Sequence, residues 1–352
     1  MTARIETQRR EAEELFLKLP LPGASDGNFL PLEGVRLPER KPQAVPAGCF
    51  SPLSEDDEAP GIPDEWRSDK FALHALARWS LGASARITGT PARPLRVERA
   101  VEAGAFRSIH SADAGSTGAI VEELTGLGEG ETVTGVMELH AKEDARVTYV
   151  LFQNLHRESD FFLRVRIVAE AGAEVTFLPV FTGGGRGQLR LDTWCRGNGS
   201  HVKVRGLARG RGRQQFDFWL NTHHTEPRGR SQTEFRFVMD DASKAVFNGL
   251  VEITARAQDT DAGQRCRALL LGPQASVRAV PKLLIATDQV KCGHGASVST
   301  VNPEQIHYLQ SRGISRARAE EMIVAGFMGE FLSGLGEPRM AEALGVEPEE
   351  EP

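Results

Sequence analysis

Between about Leu95 and Ile285 the chain alternates apolar and polar residues with a period of two, and no helical pattern interrupts it. Leu163-Arg164-Val165-Arg166-Ile167 is one such segment, and Phe216-Asp217-Phe218-Trp219-Leu220 is another. Leu189-Arg190-Leu191, Val202-Lys203-Val204, Phe235-Arg236-Phe237 and Leu283-Leu284-Ile285 continue the series. Side chains on a strand point alternately to opposite faces, so this pattern specifies half-buried strands. Turn signals separate them: Gly172, Gly183-Gly184-Gly185, Gly197-Asn198-Gly199, Gly206, Gly210 and Asp240-Asp241. Strand starts recur roughly every 12 to 17 residues, which predicts an all-β solenoid, sandwich or barrel. About a dozen strands exceed what one simple barrel needs, whereas a coil stacks any number of short rungs. Periodicity alone weighs a β-helix and a sandwich evenly.

The flanks follow helical rules. Ala12, Leu15, Phe16 and Leu19 fall at helical spacing within Ile5 to Leu19, and Leu19-Pro20-Leu21-Pro22 stops that helix. Pro31 to Pro63 is rich in proline and acid, as a linker would be. A second helix is expected from about Asp69 to Leu81, carrying Phe71, Leu73, Leu76 and Trp79. After Val301, Asn302 is placed to cap a helix, Pro303 suits its first position, Gln305 can close a capping box, and Gly313 ends it. Ser315 can cap the next helix, whose apolar face holds Met322, Ile323, Val324, Phe327, Met328, Phe331 and Leu332. That face is broader than one surface contact requires. The expected organisation is a helical region with linker over 1–94, a β core over 95–300, and a helical region with an acidic tail over 301–352.

Net charge is −6, so nothing global points to nucleic acid or an anionic membrane. No run of about 18 apolar residues argues for a membrane span, and Met1 to Arg10 lacks the apolar core of a secretory signal. Cys49, Cys195, Cys266 and Cys292 are few and widely spaced, which favours a reduced, cytoplasmic setting over a disulfide framework.

Chemistry-bearing residues are sparse. Cys292 and His294 stand two apart in Lys291-Cys292-Gly293-His294-Gly295, so on a strand they share a face and could bind a soft metal such as iron or zinc. Two ligands do not close a site, and by spacing alone a buried cysteine with a turn histidine is the commoner arrangement. Cys266 lies between Arg265 and Arg267, cations that would favour its thiolate. It precedes His294 by 28 residues, about two strand repeats, so in a coil it could face the same edge. An inert core cysteine is the plain alternative. His223 and His224 are adjacent and would point to opposite faces, with a turn into Pro227 the expected role. Gly183 to Gly187 lacks the Lys and the following helix of a phosphate loop and reads as a β-turn. No complete enzymatic constellation is present.

The motifs taken in order resemble the SufB/SufD family, scaffold components of the SUF iron–sulfur cluster assembly system. Asp288-Gln289-Val290-Lys291-Cys292-Gly293-His294-Gly295-Ala296-Ser297-Val298 is similar to the SufD-type DDVKCSHGATV. Gln305 to Ile314 resembles QLFYLRSRGI, and Ala245 to Gly249 resembles AVFRG. Thr260-Asp261-Ala262, Leu269-Leu270-Leu271, Pro281 to Ile285 and His224 to Ser231 match further family segments in the same order. Gly293 and Ser297 depart mildly from the usual Ser and Thr. Cys266 departs more, because the SufD-type pattern has Asn there, whereas the SufB-type paralogue has a cysteine that is its core cluster ligand.

The resemblance implies a right-handed parallel β-helix with helical N- and C-terminal regions. It implies a scaffold, not an enzyme, that pairs with a SufB-like paralogue or with itself and carries a SufC-like ATPase on its C-terminal helices. Met322, Ile323, Phe327 and Phe331 would then form the docking face. A transient iron–sulfur cluster would form at the dimer edge, with His294 the implied ligand, Cys292 its interface neighbour and Cys266 a further ligand. Flavin involvement is left open. The competing readings are a β-helix enzyme acting on polysaccharide, which needs converging carboxylates that this chain scatters, and a metal-free structural partner of a paralogue.

Overall fold

A computed structural model describes residues 2–22 and 62–332, together with 30, 32, 35–38, 340, 342 and 344. The linker acids Ser54 to Glu58, Cys49 and the tail from Gly345 lie outside the described residues, as does the side chain of Phe331.

Among the described residues sixteen strands form two sheets of eight, and every pairing is parallel. The first sheet holds the odd strands: β1 (Leu81–Ile87), β3 (Gly104–Ala112), β5 (Thr132–Ala141), β7 (Asp160–Ala169), β9 (Arg186–Cys195), β11 (Gln215–His224), β13 (Lys244–Ile253) and β15 (Ser276–Ile285). The second holds the even strands: β2 (Leu95–Val101), β4 (Thr117–Gly126), β6 (Arg146–Leu155), β8 (Glu174–Phe181), β10 (His201–Gly210), β12 (Arg230–Met239), β14 (Thr260–Leu270) and β16 (Val290–Thr300). Consecutive strands therefore belong to opposite sheets, and each strand bonds to the one two further on. This is a parallel β-helix of eight two-stranded rungs, which resolves the choice between coil and sandwich.

The inward residues form one continuous core. Phe161, Phe177, Phe181, Phe216, Phe218, Phe235, Phe237 and Phe247 are fully buried and lie in one cluster, many in ring contact with a neighbouring rung. Burying such a side chain is worth roughly 1.5–3 kcal/mol, so stacking supplies the stability that a short rung alone could not.

The coil begins earlier than position 95. Leu81 to Ile87 already pairs with β3, from Leu81 opposite Phe106 to Ile87 opposite Ala112. Its small residues, Gly82 to Ala85, mute the period-two signal. The second helix consequently ends at Arg78, not Leu81.

Helix α1 (Thr2–Lys18) and helix α2 (Lys70–Arg78) cover the outer face of the first sheet. Ile5, Ala12, Leu73 and Leu76 pack there against Ala105, Ile109 and Val136. Asp69 caps α2 by accepting from the backbone N–H groups of Phe71 at 2.9 Å and Ala72 at 3.0 Å. The same carboxylate takes two bonds from the buried Arg164 guanidinium, at 2.5 and 3.0 Å. Burial disfavours the Asp69 charge, but Arg164 and Arg190 outweigh it and hold its carboxyl below the usual range.

At the other end, helix α3 (Pro303–Ser311) is capped as expected: the Asn302 side chain accepts from the Glu304 N–H at 2.9 Å. Gly313 follows at φ +85°, the left-handed conformation that glycine adopts without penalty. Helix α4 (Arg316–Leu332) starts with the Arg318 N–H donating to Ser315 Oγ at 3.3 Å. No helix among the described residues is long and apolar enough to cross a membrane.

Candidate functional site on the last rung

The last rung, β15 and β16, has one hydrogen-bonding edge paired and the other free. Its residues are mostly exposed, including Leu284 at 57%, Val298 at 44% and Ile285 at 39%. Register transfers the inward direction from β14 to β16. Ala262, Gln264 and Cys266 are buried, and they stand opposite Cys292, His294 and Ala296 respectively. Cys292 and His294 thus share the core-facing side of the strand, as the alternation requires. Among the described residues no further rung covers that side, and His294 is exposed and Cys292 half-buried. Cys292 packs on a small apolar cluster of Val251, Ile253, Ala257 and Ala262. Burial raises its thiol pKa, and Asp261 adds to that, against the Gly293 N–H, which lowers it.

Cys266 occupies the same inner side one rung earlier. The repeat from β14 to β16 is thirty residues, Gln264 to His294, so Cys266 stacks on Ala296 and lies diagonal to His294. A strand spacing of about 4.8 Å and a two-residue rise of about 6.7 Å put their Cα atoms about 8 Å apart. The thiolate expectation for Cys266 is corrected. Arg265 and Arg267 flank it in sequence but point to the other face, and Cys266 is fully buried beside Phe235 in the aromatic core. Burial pushes its thiol up to about 12, the same as for buried Cys195.

Sequence reasoning missed Gln264. It is buried directly opposite His294 in register, and neither its amide nitrogen nor its amide oxygen has a hydrogen-bond partner. Two unsatisfied polar atoms in a core are costly, on the order of 1–3 kcal/mol each. The signal was present in the sequence only as a polar residue at an inward position.

His223 and His224 do point to opposite faces, but within β11, not a turn. His224 is buried and bonds Ser231 Oγ at 2.8 Å. His223 faces out, stacks on Trp194 and bonds Glu252 at 2.8 Å and Asp192 at 3.4 Å. Burial opposes its charge, yet those two carboxylates raise its pKa.

Helix α4 lies on the outer face of the second sheet. Val324 and Met328 are buried against Val180, Leu207 and Val238, and Ile323 and Phe327 pack partly on the same cluster. Arg236 donates to the Phe327 carbonyl at 2.7 Å, and the Arg236 and Arg267 guanidiniums sit over its ring. Much of the expected docking face therefore serves the chain's own packing. Met322 at 42% and Tyr308 on α3 at 58% remain exposed.

Among the described residues no group of three His, Cys, Asp or Glu side chains is placed to hold a metal ion. The last rung presents an incomplete donor set: one exposed imidazole, one half-buried thiol, and a second thiol a rung deeper.

The chain is 26% identical over 332 residues to an Escherichia coli protein named iron-sulfur cluster assembly protein SufD, covering 89% of this chain and 78% of the relative. It is 31% identical over 216 residues to the chloroplastic protein ABCI7 of Arabidopsis thaliana, covering 60% of this chain and 46% of that one. A Bacillus subtilis protein named iron-sulfur cluster assembly protein SufD is 34% identical over 139 residues, 40% of this chain and 32% of the relative. Residues 98–327, which span the coil from β2 through most of α4, match the family described as SUF system FeS cluster assembly, SufBD core domain, and the chain belongs to that family.

Proposed function

We propose that this chain is a scaffold for iron–sulfur cluster assembly and that its last rung is the edge at which a cluster, as cargo, is built. The observation that carries the reading is the open inner side of β16, where His294 is exposed in line with Cys292 and above buried Gln264 and Cys266. Imidazole and thiolate both suit iron, and mixed histidine–cysteine ligation occurs in known cluster types. Because this chain's donors do not close a site, the remaining ligands come from a second chain, a SufB-like paralogue or another copy. The free edges of β15 and β16 and the exposed Leu284, Ile285 and Val298 suit such a pairing.

Cys266 needs the interface to open or its rung to shift before it can act, since a thiol held at about 12 is protonated at neutral pH. A SufC-like ATPase, docked through the exposed parts of α3 and α4 around Tyr308 and Met322, would supply the work for that opening.

The test is anaerobic co-purification with candidate SUF proteins, followed by iron and sulfide assay. His294→Ala is expected to keep the circular dichroism spectrum and the partners of the wild type and to lose cluster formation. Normal cluster content in that variant overturns the ligand role. Cys266→Ser, in parallel, separates a cluster ligand from a core thiol. Partner binding without iron in wild type and variants alike points to a metal-free structural subunit.

A further inference from the structure

A second polar site lies on the second sheet, three to five rungs before the last one. Asn154, Thr182 and Arg209 each stand one residue beyond the paired Gln153, Phe181 and Ala208, near the ends of β6 and β10 and directly after β8, and the Thr182 hydroxyl donates to Asn154 Oδ1 at 3.0 Å. With Arg157 and Arg211 they line a cavity of about 160 Å³.

Its origin is legible in the turns. Arg157 belongs to the turn after β6 and Arg211 to the turn after β10. The turn between them, after β8, is Gly183-Gly184-Gly185 and carries no side chains. A Cβ on Gly183 would lie 2.0 Å from the Leu155 carbonyl oxygen, so packing demands glycine there. One rung without side chains, between two that present arginines, leaves a notch into which the guanidiniums converge.

Packing accounts for the glycine but not for the arginines. Nε and Nη1 of Arg209 are buried and have no hydrogen-bond partner. None of the three guanidiniums is ion-paired among the described residues. Asp240 and Asp241 stand close enough to act on these charges, and among the described residues their side-chain bonds go to backbone: Asp240 Oδ1 accepts the Asp241 N–H at 2.7 Å, and Asp241 Oδ2 accepts the Gly212 N–H at 2.8 Å. Burial, then Arg211 and Arg157, pull the Arg209 pKa down to about 10, against Asp240. Asp240 and Asp241 partly offset the Arg211 charge, and Asp240 that of Arg209, but neither is ion-paired to them. Clustered, partly desolvated cations left without a direct partner are unfavourable unless an anion completes them.

We infer that the notch formed by Arg157, Arg209 and Arg211 with Asn154 and Thr182 is a binding site for a phosphate-type oxyanion. Donors reach it from the rungs on either side of the glycine turn, Asn154 and Arg157 from one and Arg209 and Arg211 from the other, with the Thr182 hydroxyl donating to Asn154 Oδ1 at 3.0 Å between them, so they converge in three dimensions, as the oxygens of a tetrahedral anion require. A planar carboxylate would satisfy fewer of them. Guanidinium forks match phosphate geometry and bind it by charge-assisted hydrogen bonds. The ligand is inorganic phosphate or the phosphate group of a small phosphomonoester.

Isothermal titration of the full-length chain at constant ionic strength tests this, with inorganic phosphate and adenosine monophosphate as probes and chloride as the blank. Saturable one-to-one binding is expected. It should weaken at least about tenfold in Arg209→Gln and in Arg211→Gln. It should be unchanged in Arg146→Gln, an exposed arginine of the same sheet. Tighter binding of the monophosphate than of phosphate identifies a phosphomonoester site, and the reverse identifies a free-phosphate site. Thermal melts without ligand are expected to show Arg209→Gln at least as stable as wild type, which separates lost binding from lost folding. Absence of saturable binding, or equal binding in all three variants, overturns the proposal. So does binding that emerges only when Glu347, Glu349, Glu350 and Glu351 are all changed to Gln in the full-length chain, because the chain's own acidic tail would then be the occupant.

Discussion

The rungs beneath α2 and the last rung are built from the same strand geometry but finished in opposite ways. Under α2, the outer face of the first sheet is sealed by helix packing and by a polar chain running Asp69, Arg164, Gln188 and Asp217, with bonds of 2.5, 2.7 and 3.0 Å. Arg164 is buried there because Asp69, Asp217 and the Gln188 amide oxygen answer its charge and donors, against the like charge of Arg190. On β15 and β16 the described residues give no such cover, and apolar residues such as Leu284 and Val298 are exposed. A coil has no intrinsic end, so each terminus must be capped or paired. The contrast indicates that the sealed rungs serve stability and that the open rung is kept for a partner.

The most damaging way to break this contrast is Asp69→Ala. It leaves Arg164 buried without its carboxylate and uncaps α2, and removing one partner of a buried pair costs about 3–5 kcal/mol. Urea denaturation monitored by circular dichroism should show the loss, and a change below about 1 kcal/mol would mean that the network contributes little.

Acid should act next, on the first rungs. Glu122 is buried and accepts bonds from Ser108 at 2.6 Å, Tyr149 at 2.7 Å, His110 at 2.9 Å and Arg99 at 3.2 Å. Burial alone would raise its pKa, yet His110, Arg99 and Ser108 lower it to about 2. A carboxyl depressed on folding contributes stability that is complete above its unfolded pKa, near 4.5, and that fades as pH falls toward 2. A loss on the order of 2–3 kcal/mol is expected across that window. The pH dependence of stability in Glu122→Gln should be flatter there, and a wild-type slope retained in that variant would assign it to other carboxylates.

The smallest effect on the isolated chain is expected at the open rung. Leu284 is more than half exposed, so Leu284→Ser should change unfolding stability by no more than about 0.5 kcal/mol. The same change should weaken association with a second chain, read by analytical ultracentrifugation. Unchanged association would move the pairing surface away from this edge.

Much of the fold was legible from local pattern. Period two marked most of the strands, and Asn302, Pro303, Ser315 and Gly313 marked the C-terminal helices at the positions the structure bears out. Strand β1 was missed because Gly82 to Ala85 are too small to alternate visibly. The candidate site was legible only in part. Cys292 and His294 sit on one strand, so their common face followed from alternation alone. Cys266 did not, because its charged sequence neighbours suggested an activated thiol, and alternation turned those charges away from it.

By itself, then, the sequence determined which segments are strands, where helices start and stop, and which side chains share a face along one strand. Tertiary structure decided what lies one rung away. Alternation is a property of two neighbouring residues, whereas stacking depends on the full length of each rung and every turn within it. A thirty-residue repeat sets Gln264, not Cys266, opposite His294. A turn of three glycines lets Arg157 and Arg211 close on Arg209 from the rungs to either side. Neither juxtaposition is written in a local pattern, because both depend on how the coil adds up its turns.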